Sequence, residues 1–261
     1  MLKGVLLLFF IFYLPIRSQS AEDSVKLNKE LLKRNIRDFG RILTAPVHWS
    51  PAEWYIFSAL AGTSLFLYSQ DEDIHDYIQR KRSPFGNTLS CIVEPFGKGM
   101  VILAAVPTYY ILGALFKNYR IKKTAIMTAQ SLVVMAIMVE GTKYFTGRHR
   151  PKTGDSHNSW DSFSNHDAFP SGHTALMFSI ATVLSYEYKE QKWVPPVTFG
   201  IATLTALSRM NDGAHWASDI LVGFGIGYFI TKTIVNGYPE GESKVRVQIQ
   251  PTGIGLTISL P

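Results

Sequence analysis

The apolar residues of this chain gather into blocks that are almost free of charge, and that clustering restricts the fold more than any other feature. Trp54 to Gln70 holds no charged residue, and neither does Gly99 to Phe116 between Lys98 and Lys117. Thr124 to Thr142 is interrupted only by Glu140. Ala168 to Tyr186 carries His173, Trp193 to Ser208 holds no charged residue, and Gly213 to Ile230 carries His215 and Asp219. A helix crossing a bilayer needs ~20 apolar residues and ~17 at the short end, so several blocks lie near the minimum. The pattern predicts an all-α fold, a polytopic membrane helical bundle of about six transmembrane helices over residues 54–236. The competing reading of the same lengths is a soluble helical enzyme with buried core helices.

Flanking segments have a different character. Lys3 followed by the apolar run Gly4 to Leu14, with Ser18 and Ser20 at the spacing of a cleavage site, predicts a signal peptide or an uncleaved anchor over residues 1–20. Over residues 21–53, Leu27, Leu31, Leu32, Ile36, Phe39 and Leu43 recur at helical spacing among mixed charges. This predicts an amphipathic helix, lying on the membrane surface or packed on its own domain. Residues 237–261 alternate Lys244, Arg246 and Gln248 with Val245, Val247 and Ile249, predicting a short strand pair or extended tail.

A net charge of +6 suits nucleic acid, an anionic membrane surface or a phosphorylated substrate. No basic tract is interleaved with aromatics, so a nucleic-acid partner is not expected. The only cysteine, Cys91, excludes an internal disulfide and leaves the redox compartment open.

Charged and nucleophilic residues in the last four blocks fall at block ends, where an antiparallel bundle would bring them to one face. Lys143 and Arg150-Pro151 form one segment, Pro170-Ser171-Gly172-His173 a second, and Ser208-Arg209 with His215 and Asp219 a third. Singly, each has a bland explanation: an interface anchor, a helix cap, a chance pair on one helix face. Together they supply every part that phosphoryl transfer needs. Lys143, Arg150 and Arg209 are cations for the charge spread over the transferring oxygens. Ser171 and Gly172 open a helix, whose free N–H groups bind anions. His215 and Asp219 are four apart, so on a helix the carboxylate can fix the imidazole tautomer and leave the other nitrogen free to attack. His173 can protonate the departing alkoxide.

These segments resemble the signature of the type 2 phosphatidic acid phosphatase superfamily, Kx6RP, PSGH and SRx5Hx3D, with no departure at any signature position. The resemblance is strong over residues 143–219 and looser across 54–236. It implies a six-helix membrane core and metal-independent hydrolysis through a phosphohistidine. On that resemblance His215 is the nucleophile, Asp219 its partner and His173 the acid, while Lys143, Arg150, Ser171, Gly172, Ser208 and Arg209 bind phosphate. Arg148 and His149 fall in the variable stretch of the first motif. No cofactor is expected, and the oligomeric state is not readable. The polar loop Lys152 to Phe169 holds Asp155, His157, Asp161, His166 and Asp167 without a recognised metal-ligand spacing, so it reads as a solvated cover over the site.

The basic connection Lys117 to Lys123 lies opposite the motif-bearing loops, so the positive-inside rule puts it in the cytoplasm and the site outside. For a bacterial chain this is the inner membrane with the site facing the periplasm. Arg80, Lys81 and Arg82 conflict with that topology, as does a cleaved signal. The expected partners are the bilayer and a phosphorylated lipid of the cell envelope: undecaprenyl pyrophosphate, phosphatidylglycerol phosphate, phosphatidic acid or lipid A. The alternatives are a lipid phosphotransferase on the same scaffold, a vanadium haloperoxidase and a non-catalytic phospholipid carrier. Halide oxidation would mark the haloperoxidase, but the apolar blocks do not fit it; the carrier would need only the cations.

Overall fold

The computed structural model describes residues 37, 39–42, 44–238, 244–250 and 253–259. The signal or anchor expected over 1–20 and most of the amphipathic helix expected over 21–53 lie outside the described residues. Helix α1 spans Pro51–Arg80, α2 Pro84–Val93, α3 Gly99–Leu115, α4 Tyr119–Thr146, α5 Gly172–Glu187, α6 Val194–Asn211 and α7 Ala217–Asn236. A 3-10 turn, Glu94–Gly97, joins α2 to α3. In the tail, β1 (Lys244–Gln250) pairs antiparallel with β2 (Gly253–Ser259), Lys244 opposite Ser259.

Local chemistry sets the helix ends. Ser50 and Glu53 form a reciprocal cap, with Ser50 N–H donating to Glu53 Oε2 at 2.8 Å and Glu53 N–H to Ser50 Oγ at 3.3 Å. Pro51, which has no N–H to satisfy, is the first residue of α1. Asn118 Oδ1 accepts from Ile121 N–H at the start of α4. Gly147 ends α4 in the left-handed region, with φ of 57°. A Cβ there would sit 1.7 Å from the Asp161 carbonyl oxygen, so only glycine fits.

Helix α5 packs between α6 and α7, and α7 also meets α1 and α4. Gly223 and Gly227 bring α7 against α5 so closely that a Cβ would lie 2.6 Å from the Ser171 carbonyl oxygen and 2.2 Å from that of Ala175. Such small-residue seams permit the close backbone approach common in membrane bundles. Helices α1 and α7 run antiparallel: Asp71 meets Ser218, Leu60 meets Gly225, and Trp49, just before α1, meets Phe229.

Among the described residues, α4 and α7 are long and apolar enough to cross a membrane. The segment Pro84–Gly97 and α3, bent by 54° at their break, together form a third candidate. This is fewer than the six spans expected from the blocks, for a geometric reason. At about 1.5 Å per residue, α3, α5 and α6 extend only about 24–27 Å, short of a ~30 Å hydrocarbon core. Helix α1 is 30 residues long, but its second half carries Asp71, Glu72, Asp73 and Asp76. Lipid is nevertheless the evident neighbour of the outer faces: Leu65, Phe66, Met100, Leu103 and Leu115 are each 64–79% exposed.

Candidate active site

Two loops meet at one end of the bundle, α4–α5 and α6–α7. Lys152 N–H donates to the Gly213 carbonyl at 2.9 Å, and Ser171 N–H to that of Asp219 at 3.0 Å. The opposite end carries the basic connection, where Lys123 pairs with Glu187 at 3.0 Å.

His215, on the α6–α7 loop, is almost fully buried. Its Nδ1 lies 2.7 Å from the carbonyl oxygen of Ala168. A carbonyl only accepts, so Nδ1 carries the proton and Nε2 keeps its lone pair. The carboxylate expected in this role, Asp219 Oδ2, lies 3.8 Å from Nδ1, beyond hydrogen-bond distance. Its oxygens are engaged elsewhere: Oδ2 accepts from Trp216 N–H at 2.8 Å, and Oδ1 from Arg148 Nη1 at 2.5 Å. Asp219 therefore faces the imidazole as a nearby charge, while the backbone sets the tautomer. Burial holds His215 below the ordinary imidazole pKa, with Arg150 adding to it, against the opposing pull of Asp219.

His173, in the first turn of α5, has a buried Nε2 with no hydrogen-bond partner among the described residues. Its ring lies against Gly97, where a Cβ would come within 2.6 Å of His173 Cδ2. The three expected cations each hold a carboxylate. Lys143 Nζ is 3.0 Å from Glu140 and also lies beside Gly172. Arg150 donates from Nε and Nη2 to the two oxygens of Asp167, at 2.7 and 2.6 Å. Arg209 is 2.5 Å from Asp212 and 3.5 Å from Glu94. Burial raises the Asp167 carboxyl, but Arg150 outweighs it and holds the group below the usual carboxylate range. The serines are structural in their contacts. Ser171 Oγ accepts from Thr174 N–H as the cap of α5, and Ser208 Oγ donates to the Thr205 carbonyl.

Two residues that the sequence left without a role stand behind the nucleophile. Arg148 has no exposed surface and contacts both Asp71 (2.8 Å) and Asp219 (2.5 Å). Asp71 is buried in the second half of α1 and also accepts from Ser218 N–H and Oγ at 3.0 and 2.5 Å. The signal for Arg148 was its place in the first motif; for Asp71 it was an acid immediately following an apolar block.

In the cover loop, ligand atoms of His149, Asp161 and His166 lie within 4.8 Å of one another. The two imidazoles stack with centroids 3.5 Å apart and planes 20° from parallel. Imidazole lone pairs lie in the ring plane, so stacked rings do not aim at one ion; joint ligation requires one ring to turn. His149 Nδ1 instead lies 2.7 Å from Asp155.

A family model described as the PAP2 superfamily matches residues 123–241, the stretch that contains every one of these motif residues. Over that stretch, just under half of the chain, the sequence is similar to this superfamily. Lipid A 1-phosphatase of Porphyromonas gingivalis is 35% identical over 109 residues, covering 41% of this chain. The chain spans only 22% of that relative's length. Phosphatidylglycerophosphatase B of Bacillus subtilis is 25% identical over 210 residues, covering 76% of this chain and 98% of the relative. Two crystal structures share the fold at a TM-score of 0.51. LpxE of Aquifex aeolicus is 24% identical over 64% of this chain and 94% of its own. A PAP2-type phosphatidylglycerolphosphate phosphatase of Bacillus subtilis is 22% identical over 69% and 94%.

Proposed function

We propose that this protein hydrolyses a phosphomonoester or pyrophosphate of a cell-envelope lipid through a phosphohistidine on His215. The observation that carries the reading is the His215 imidazole, its Nδ1 proton held by the Ala168 carbonyl and its Nε2 left nucleophilic. Nε2 attacks phosphorus, the P–O ester bond breaks, and the leaving alkoxide takes a proton from His173. Neutral His173 then draws a proton from water, which attacks the phosphohistidine and releases inorganic phosphate. Lys143, Arg150 and Arg209 balance the charge on the transferring oxygens. Ser171 caps α5, whose first-turn amides at Gly172 and His173 face the phosphate, and Ser208 steadies the Arg209 guanidinium.

Substrate must displace carboxylates to reach this clamp, since Arg150 and Arg209 are engaged by Asp167 and Asp212. A phosphate dianion offers more charge and more acceptor oxygens than a carboxylate, so the exchange favours it. The lipid part of the reading is supported by a cavity of about 660 Å³ lined by Leu60, Leu65, Phe169, Val222, Ile226 and Phe229. Phe169 and Ser218 on its wall adjoin Ala168 and Asp219, and its apolar lining suits an acyl chain. The relatives' names favour lipid A 1-phosphate and phosphatidylglycerol phosphate as substrates. The basic Lys117–Lys123 end faces the cytoplasm and the site faces the periplasm on this reading.

The mechanism is tested by trapping. Rapid acid-free denaturation during turnover of a ³²P-labelled lipid should leave label on the protein that is stable to base and lost in acid, as a phosphoramidate is. That label should be missing from His215→Ala; base-labile label would sink the histidine intermediate. EDTA should leave turnover unchanged, and strong inhibition would show that a metal takes part.

A further inference from the structure

The buried Arg148 guanidinium lies among groups from several parts of the molecule. Its Nη2 donates to Asp71 on α1 at 2.8 Å, and its Nη1 to Asp219 and to Ser218 Oγ on α7 at 2.5 and 2.8 Å. Its Nε and Nη2 also donate to the His157 carbonyl, at 3.0 and 2.8 Å. Three aromatic rings, those of Tyr68, Trp160 and Trp216, lie 4.9–5.5 Å from its central carbon. Burying a cation and two acids at full depth is costly unless each is paired and hydrogen-bonded, as here.

One cation between two carboxylates leaves the trio with one uncompensated negative charge, and Asp219 is the member next to His215. An imidazole that accepts a phosphoryl group on Nε2 while keeping its Nδ1 proton gains positive charge. With Arg148 and Asp219 alone, the two would cancel, and the imidazole would face no net charge from behind.

We propose that Arg148 and Asp71 are positioning residues for the nucleophile: Arg148 fixes the Asp219 carboxylate, and Asp71 restores the negative charge that Arg148 cancels. Asp71 thereby links α1 to the chemistry at the start of α7, 147 positions away from Ser218. Other charged or titratable groups around His215 come from the α4–α5 loop (Arg150, Asp167) and from α5 (His173), with Arg209 of α6 and Lys143 of α4 beyond. None of these is altered by the substitutions below.

The kinetic half of the test rests on the phosphatase reading, and a binding half separates the two. Turnover is measured on dioctanoyl phosphatidic acid in detergent micelles. Affinity for orthovanadate, which adds to a neutral Nε2, is measured against pH. Asp71→Asn keeps the shape of the side chain and removes its charge. It should lower kcat about tenfold with KM within about twofold. It should also move the acid limb, in turnover and in vanadate binding alike, about half a pH unit or more downward, because less negative charge favours neutral imidazole. Adding Arg148→Gln restores one uncompensated negative charge and should bring the limb back toward wild type, an outcome no purely structural role predicts. Ser218→Ala loosens the trio without changing charge, so kcat should fall severalfold with the limb unmoved.

Wild-type kcat and an unmoved vanadate profile in Asp71→Asn overturn the proposal, and so does a limb moved upward. Should Asp71→Asn not fold, full kcat and full vanadate affinity in Ser218→Ala overturn it. A wild type that binds vanadate with the expected shifts in the variants but releases no phosphate defeats the phosphatase reading alone. A wild type that binds no vanadate defeats both.

Discussion

At the scale of residues, the chemistry depends on which form of each side chain the surroundings stabilise. Burial keeps His215 neutral below the ordinary imidazole pKa. Activity should therefore persist across neutral pH and into mildly acid solution, then fall as pH drops through that lowered value and Nε2 takes a proton. A pH profile of kcat/KM checks the sign: an acid limb above the ordinary imidazole value near 6.5 contradicts it. The same shift acts on folding, since a buried neutral histidine contributes stability that is lost as pH falls and the unfolded chain binds the proton. Arg209→Ala removes one of the three cations of the clamp and should cost on the order of 10²-fold in turnover, measured by phosphate release. The motif residues were legible because phosphoryl transfer calls for a few side-chain types at fixed spacing. The Ala168 carbonyl was not, since any residue offers the same oxygen and only the folded loop brings it to His215.

Elements place these residues, and small features at helix ends do most of it. Gly147 turns the chain out of α4 so that Arg148 points inward and Arg150 toward Asp167. Gly147→Ala should both strain the backbone and drive a methyl group into the Asp161 carbonyl, costing at least ~1–3 kcal/mol. Thermal unfolding in detergent reads this directly; an unchanged Tm would show that the loop can yield. Helix type was legible from the apolar blocks, and the motifs fell at helix ends as expected. Helix α2 was not foreseen, because Pro84 to Val93 is short and lacks the length of an apolar block. Nor was the true length of α1 evident. Its charged second half reads as a loop in sequence, yet Asp71, Glu72 and His75 each meet the site-end loops and Gln79 meets the end of α6.

For the whole molecule, the direction of α1 bears on topology. Its charged end meets the site loops, so its start at Pro51 lies toward the basic Lys117–Lys123 end. If the site faces the periplasm, residue 51 begins in the cytoplasm, and the Arg80–Arg82 cluster faces outward against the usual bias. Asp71 and Glu72 are held on that side by Arg148 and the His157 amide, so packing opposes the charge rule. Because Cys91 is the only cysteine, a Cys91→Ser background permits a clean test in cells. Ser156→Cys should react with an impermeant maleimide added outside, and Lys122→Cys only after lysis; the reverse pattern would invert the orientation. Orientation was not settled by the sequence because two sets of basic residues gave opposite answers, and the contacts of α1 place those two sets at opposite ends of the bundle.

The most direct test of the central claim is phosphate release by the detergent-purified protein from a panel of envelope lipids, with His215→Ala assayed beside it. The panel comprises lipid A 1-phosphate, phosphatidylglycerol phosphate, phosphatidic acid and undecaprenyl pyrophosphate. Release from one lipid class, lost in His215→Ala, is the predicted result and names the substrate. Release that persists in His215→Ala, or none from any lipid, contradicts a lipid phosphatase working through this histidine.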